Sequence, residues 1–124
     1  MSKYCEDLCN AARNGRFQEI KSIIERLERS YDKRVPVKNR TLVVDALSGY
    51  VDGFTPLMHL CNPHRPTYDC DTLDYLLEKG GRYTINLVSK DGDNDTALTL
   101  ATAHGLDLYV GILLKYGADV NHRC

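Results

Sequence analysis

In the C-terminal part of the chain, apolar residues recur at the spacing of one face of an α-helix. Thr96 can cap a helix there, because its hydroxyl can accept a hydrogen bond from a free backbone N–H of the first turn. The apolar residues that follow at helical spacing are Leu98, Leu100, Ala101 and Ala103. Gly105 is expected to end the helix, because glycine adopts the left-handed conformation of a helix-ending turn.

A second helix is predicted directly after Gly105. Asp107 is expected to cap it and Gly117 to end it. Its predicted apolar side consists of Leu108, Ile112, Leu113 and Leu114. Two short helices joined by a turn cannot bury their apolar faces alone, so the pattern requires similar pairs beside it.

The N-terminal part carries such a pair, with Gly15 at its turn. The residues predicted to face the neighbouring pair are Leu8, Ala11, Ala12, Phe17, Ile20, Ile23, Ile24 and Leu27. The second helix is expected to run to about Ser30, because no glycine follows Ile24 at the usual place. The opposite side is charged, as the first repeat of a stacked array requires.

A third pair is predicted in the middle of the chain. Thr55 is expected to cap its first helix, with Pro56 at the first helical position. Leu73, Leu76 and Leu77 lie in its second helix. Residues 44–57 align with residues 85–98, and the segment between the two helices of this pair is longer than in the last pair.

The segment from Asp91 to Asn121 resembles an ankyrin repeat. The family pattern is D-x-x-G-x-T-P-L-H-L-A-A-x-x-G, then an apolar helix and G-A-D-V-N, and this chain has D-G-D-N-D-T-A-L-T-L-A-T-A-H-G at its start and G-A-D-V-N at its end. Asn94 stands where the family has glycine, and asparagine is the usual substitute where φ is positive. The resemblance implies an all-α ankyrin-repeat solenoid of helix-turn-helix pairs with β-turn or hairpin fingers.

The resemblance also implies one ankyrin-repeat domain over residues 1–124. Its predicted parts are repeat one at 3–30, an insertion at 31–43, repeat two at 44–88 and repeat three at 89–124. Repeat three lacks a polar outer side, and the apolar residues expected near its open end are Ala103, Leu106, Tyr109 and Val110. We therefore expect the chain to be the N-terminal part of a longer array, or to self-associate through repeat three.

Composition excludes several classes of function. The net charge is −1, which is not the footprint of a nucleic-acid or membrane-surface protein. The sequence has neither a long apolar run nor the apolar core of a signal peptide. Five cysteines without an export signal indicate free thiols in a reducing cytosol, so we expect a cytoplasmic location, with the nucleus also open.

The insertion contains a basic cluster, Lys33, Arg34, Lys38 and Arg40. A solvated loop accounts for such a cluster, and a docking site for an acidic partner is the alternative.

Candidate chemistry is sparse. The spacing of His59, Cys61 and His64 does not match a zinc site, and residues 91–95 lack the spacing of a calcium loop. No catalytic or nucleotide-binding motif is present, so we expect no metal, no cofactor and no enzymatic activity. The alternative is a small metal- or redox-responsive protein that uses Cys5, Cys9, Cys61 and Cys70.

The resemblance to ankyrin repeats implies a concave recognition surface made of finger tips and the exposed ends of first helices. The corresponding positions are Arg13, Asn14, Val51, Asp52, Phe54, Asn62, Asp93, Asp95, Ala103 and His104. His64, Arg65 and Tyr68, in the longer connection of repeat two, are expected to add contacts. Phe54 is either an aromatic anchor for a partner or a residue that packs against the next finger.

The function implied is a protein–protein interaction module that binds a protein or peptide partner. It would serve as the recruiting part of a larger adaptor, of a ubiquitin-ligase substrate receptor or of a pathogen effector.

Overall fold

The computed structural model of the chain describes residues 3–29, 42–62 and 69–122. These residues form seven α-helices and no strand, as the expected all-α architecture requires. The helices are α1 Lys3–Arg13, α2 Phe17–Arg29, α3 Leu42–Ser48, α4 Pro56–Leu60, α5 Cys70–Lys79, α6 Ala97–Ala103 and α7 Asp107–Lys115. In the described part of the chain, no helix has both the length and the apolar character needed to span a bilayer.

Three helix pairs, α1–α2, α4–α5 and α6–α7, stack in chain order. The first helices pack in a row, α1 on α4 and α4 on α6, and the second helices do the same, α2 on α5 and α5 on α7. One continuous cluster of buried apolar side chains runs through all three pairs. No pair therefore has a separate core, which confirms the stacked arrangement predicted from the helical spacing.

The predicted core of the first pair is confirmed at every position but one. The residues buried there are Leu8, Ala11, Ala12, Ile20, Ile23, Ile24 and Leu27, whereas Phe17 is half-buried against the same cluster. Helix α2 is described as far as Arg29.

Helix α3 was not predicted, and it begins inside the expected insertion. Val43, Ala46 and Leu47 are apolar at helical spacing and are buried, with α3 packed on α1 and α2. A Cβ added to Gly80 would lie 3.2 Å from Val43 Cγ1, so the glycine after α5 permits this close approach. The alignment of residues 44–57 with 85–98 is wrong in this part, because its counterpart, Ile85–Ser89, is not helical. The basic cluster at residues 33–40 lies outside the described residues.

Two predicted caps are confirmed and one is wrong. Thr55 Oγ1 accepts the Met58 N–H, and Thr96 and Thr99 form a reciprocal capping box at the start of α6. Asp107 is the first residue of α7 and does not cap it, and Leu106 occupies the cap position without a side-chain bond. The turn at Gly105 is followed directly by the cap position at Leu106, so Asp107 falls one residue after the position from which it could cap the helix.

The predicted apolar side of α7 is confirmed at Leu113, which is buried, and at Ile112, which is half-buried against the core, but it is wrong at Leu108 and Leu114. Tyr109 and Leu113 are buried, whereas Leu108 is 74% exposed and Leu114 is 42% exposed. Leu106 and Tyr109, expected near an open end, lie in the core instead. Because α7 carries apolar residues on most sides, the pattern alone did not determine which side faces α5.

Candidate functional site: the fingers and the ends of the first helices

Finger two, residues 51–54, is a tight hairpin. Val51 and Phe54 exchange two backbone hydrogen bonds of 2.9 and 3.1 Å. Asp52 and Gly53 between them have φ of 55° and 87°, the pair of positive values that a two-residue type I′ turn requires. The Asp-Gly pair explains why the finger forms here, because aspartate and glycine adopt this conformation more readily than other residues.

Finger two is held against finger three, residues 89–95. The Gly53 carbonyl oxygen accepts the Lys90 N–H at 2.8 Å, and the Tyr50 hydroxyl donates to the Val88 carbonyl at 2.7 Å. A Cβ on Gly53 would lie 3.2 Å from Asp91, so glycine permits the close approach of the two fingers as well as the positive φ of the turn. The Lys90 ammonium also lies 4.3 Å from the centre of the Tyr50 ring. The spacing of the sequence did not reveal this lysine–tyrosine contact, which joins residues of two different repeats.

Finger three has three carboxylates, and two of them accept hydrogen bonds from residues in or next to the finger. Asp91 Oδ1 accepts the Ser89 hydroxyl at 2.7 Å and the Asp93 N–H at 3.0 Å, and these bonds lower the pKa of Asp91. Asp95 Oδ1 accepts the Thr99 hydroxyl at 2.9 Å. Asn94 has φ of 56°, which confirms that it replaces glycine at a left-handed position. Asp93 projects from the tip and is exposed.

The end of α1 reaches finger two. Arg13 Nη1 lies 3.0 Å from Asp52 Oδ2, and Arg13 Nη2 donates to Asn10 Oδ1 at 2.8 Å. Asn14 is exposed and donates its side-chain N–H to the Asn10 carbonyl. Two residues predicted to bind a partner, Arg13 and Asp52, are therefore brought together and pair with each other.

Phe54, for which the sequence left open an anchor role or packing against the next finger, is half-buried. Its ring meets the His59 ring edge-on, with 5.5 Å between centroids, and its carbonyl oxygen accepts the Cys9 thiol at 3.8 Å. His59 is buried, and its Nε2 donates to the Val51 carbonyl oxygen at 2.7 Å. The hairpin of finger two is therefore held on α4 by two contacts of His59, one with the Phe54 ring and one with the Val51 carbonyl oxygen.

The predicted site residues divide into two sets. Those that are exposed, which we call the finger surface, are Asn14, Asp52, Asp93, Ala103 and His104. Those that are half-buried are Arg13, Val51, Phe54, Asn62 and Asp95. His64, Arg65 and Tyr68 lie outside the described residues, so their predicted role stays a prediction.

The cysteines of the alternative hypothesis are not gathered in one place. In the part of the chain that the structure describes, the only cluster of three potential metal ligands is Asp91, Asp93 and Asp95. Cys61 is buried, and burial raises the pKa of its thiol to about 12. A thiol in this state reacts poorly, because the thiolate is the reactive form.

Cys5 and Cys9 form a buried pair one helical turn apart on α1. The hydrogen bond between the thiols, together with burial, raises the pKa of Cys9, while the same bond lowers the pKa of Cys5. Cys9 also bonds to the Phe54 carbonyl, as described above, so it links repeat one to finger two. These contacts favour a structural role for both thiols.

Comparison with known proteins agrees with this architecture. A family model described as ankyrin repeats, in three copies, matches residues 8–124. A search of curated proteins found no matching relative. The matched range includes both fingers and all three stacked helix pairs except residues 3–7 at the start of α1. The chain therefore belongs to the ankyrin-repeat family.

Proposed function

We propose that this chain binds a protein or peptide partner through the finger surface. Ankyrin repeats are generally protein–protein interaction modules, and the family is typically non-enzymatic. The observation that carries the proposal is that each of the three repeats contributes exposed side chains at the positions the family uses: Asn14, Asp52, Asp93, Ala103 and His104. The hydrogen bonds between fingers two and three support it further, because a rigid surface loses little conformational entropy on binding.

The chemistry of this surface favours a polar contact. The aromatic ring of Phe54 is half-buried against the core and in contact with His59, so we assign the main contact to the polar groups of the finger surface. The exposed groups are a carboxylate at the tip of each finger, Asp52 and Asp93, and an imidazole at the end of α6, His104. We therefore propose a partner segment that offers hydrogen-bond donors to the finger tips.

The broader role we propose is recruitment. A small module with an exposed binding surface suits the recruiting part of an adaptor, a ubiquitin-ligase substrate receptor or a pathogen effector. We further propose an intracellular, reducing location, which is supported by the free thiols of Cys5, Cys9, Cys61 and Cys70.

A capture experiment with matched variants tests the proposal. Asp93→Lys reverses a charge on the finger surface and is combined with His104→Glu, which replaces an imidazole by a carboxylate, whereas Glu25→Lys reverses a charge at an exposed position of α2. All three positions are exposed, so each protein should melt within a few degrees of the parent. Proteins captured by the parent chain from cell extract are identified by mass spectrometry, and each candidate is then purified and its affinity measured directly.

The expected result is that Asp93→Lys/His104→Glu loses a directly binding partner that Glu25→Lys retains. Equal binding by both variants would place the interaction elsewhere on the molecule and refute the assignment of the surface.

A further inference from the structure

An exposed leucine stands beside a pocket where α5 and α7 begin. Leu108 is the most exposed large apolar side chain among the described residues. The pocket has a volume of about 260 Å³ and is lined by Cys70, Gly105, Leu106, Asp107, Leu108 and Tyr109. It lies at the turn between α6 and α7, and none of its lining residues belongs to the finger surface.

The repeat architecture does not account for the exposure of Leu108. When Gly80 after α5 is aligned with Gly117 after α7, Leu108 falls on Asp71. Asp71 is exposed although α7 packs beside α5, so a neighbouring helix pair does not cover this position. A polar residue is sufficient there for the fold.

Leu114 shows the opposite behaviour. The same alignment places it on Leu77, which is completely buried in repeat two. Leu114 therefore occupies a position that a following helix pair would bury. Leu108 occupies a position that stays exposed even within the stack.

The pocket is shaped in advance. Tyr109 is buried, and its hydroxyl accepts the Asp69 N–H at 2.8 Å, which ties the start of α5 to α7. Leu106 is buried on the same side, and Leu108 projects outward. A pocket built by packed helices that are joined by a hydrogen bond needs little rearrangement to receive a side chain.

The charge around the pocket has one sign in the described helices. Asp107 lines the pocket, and Asp69 and Asp71 are the sequence neighbours of Cys70, which also lines it. Neither α5 nor α7 contains lysine or arginine before its last residue, Lys79 or Lys115. Carboxylates suit helix starts, and Asp71 and Asp107 remain exposed to a partner.

We propose that this pocket receives one large apolar side chain of a partner protein, with a lysine or arginine beside it that faces Asp71 and Asp107. The volume favours a single side chain, because it is below the range of roughly 300–1,000 Å³ that holds whole small-molecule ligands. Leu108 extends the apolar contact beyond the pocket, and the two carboxylates select the basic neighbour. This second surface is independent of the finger surface and does not rest on it.

Cys70 provides a direct measure of occupancy. It lines the pocket and is half-buried with a free thiol, so an occupant should slow its alkylation. The probes are short synthetic peptides with Phe, Leu, Ile or Trp at the centre and Arg and Lys on either side. Matched peptides carry Glu in place of the basic residues, or Ala at the centre. Alkylation of the full chain by N-ethylmaleimide is followed at Cys70 by mass spectrometry, and affinity is measured by fluorescence anisotropy.

Control variants distinguish this surface from another exposed apolar position and from the finger surface. Leu108→Asp copies the residue that repeat two carries at the same position, so the fold should tolerate it, and Leu108→Ser is the second choice if the first unfolds. Val120→Asp introduces the same charge at another exposed apolar position. Asp93→Lys tests the finger surface in the same assay.

At least one apolar-centred basic peptide should protect Cys70 in a saturable manner. Leu108→Asp should weaken its affinity about tenfold or more, as expected for an anchor position, while Val120→Asp and Asp93→Lys leave it unchanged.

Equal protection by the Glu-flanked or Ala-centred peptides would overturn the proposal, and so would the absence of saturable protection across the set. Protection that increases with protein concentration without peptide would assign the pocket to a second copy of the chain instead. Loss of capture by Asp93→Lys/His104→Glu with intact peptide binding here would separate the two surfaces.

Discussion

The Arg13 guanidinium lies 3.0 Å from the Asp52 carboxylate, which ties the end of α1 to the tip of finger two. The arginine side chain is 23% exposed and the aspartate side chain 69% exposed. An ion pair that solvent reaches contributes only about 0–1 kcal/mol to stability. The pair therefore orients the finger more than it stabilises the fold, and a partner that binds Asp52 has to compete with Arg13.

Asp52 should depend more on backbone conformation than on the ion pair. Asp52→Asn removes the charge but keeps a side chain that tolerates positive φ, so we expect a loss below about 1 kcal/mol in unfolding free energy. Asp52→Ala should lose about 1 kcal/mol more, because alanine is strained at a φ of 55°. Urea unfolding of both variants measures the difference, and equal losses would show that the strain is relieved elsewhere.

Removing the Tyr109 hydroxyl should destabilise the protein. Tyr109→Phe leaves the Asp69 N–H without its partner at the start of α5, which should cost about 1–3 kcal/mol. Tyr116→Phe is the matched control, because it removes a hydroxyl bond to Asp74 from a half-buried residue whose partner carboxylate solvent can reach. Thermal or urea unfolding should rank Tyr109→Phe as the less stable of the two, and the reverse order would contradict the role assigned to this hydroxyl.

Stability should decrease at high pH partly through the same residue. Burial raises the pKa of Tyr109 from 10.0 to about 12, so the folded state retains a proton that the unfolded state releases. Because the raised pKa favours the folded state at lower pH, this contribution is complete below pH 10 and is lost as pH rises towards about 12. Unfolding free energies across this range should decline less steeply in Tyr109→Phe. An identical slope would assign the effect to Tyr50, Tyr75 and Tyr116, whose pKa values are also raised.

The capping box of α6 should be worth about as much as other helix caps. Thr96→Ala removes the acceptor of the Thr99 N–H and should cost about 1 kcal/mol, within the usual range of about 0.5–2 kcal/mol. Thr102→Ala is the control. It changes a threonine inside α6 whose hydroxyl donates a hydrogen bond to the Leu98 carbonyl oxygen and does not cap the helix. That control should be neutral or slightly stabilising. A larger loss from Thr102→Ala in denaturant titrations would refute the assignment of the cap.

Self-association through repeat three is expected at the side of α7 that carries Leu114. This residue corresponds to the buried Leu77 of repeat two, so a second copy packed there would cover an apolar side chain. Light scattering over a concentration series should show an increase in mass that Leu114→Lys suppresses. A strictly monomeric protein with α7 fully protected in hydrogen exchange would contradict the expectation and would mean that the end of the stack is stable unpaired.

The parts of the fold that were predicted correctly depend on local chemistry. Thr55 and Thr96 cap helices because a hydroxyl bonds to an N–H three residues away, and Asn94 adopts positive φ because its own side chain allows it. Helix α3 was also within reach of the sequence, since Val43, Ala46 and Leu47 have helical spacing. The similarity of residues 44–57 to residues 85–98 favours a non-helical segment here, because Ile85–Ser89 is not helical.

The candidate site was less predictable, because the contacts that join its repeats connect residues far apart in the sequence. The sequence indicated that Arg13, Asp52 and Phe54 belong to one surface. It did not indicate that Arg13 and Asp52, 39 residues apart, bind each other, or that Phe54 packs on His59. Exposure of a finger residue depends on what the neighbouring repeat places beside it, and no local pattern contains that information.

By itself, the sequence determined the family, the helix pairs of the three repeats and most of their core. Glycine turns, threonine caps and helical apolar spacing act over a few residues and repeat along the chain. Only the tertiary structure decided which side of α7 faces inward, because apolar residues lie on most sides of that helix and the choice follows from the Tyr109–Asp69 bond and packing against α5. That choice buries Tyr109 and leaves Leu108 at the edge of a pocket, so the orientation of one helix created a surface that the sequence pattern did not predict.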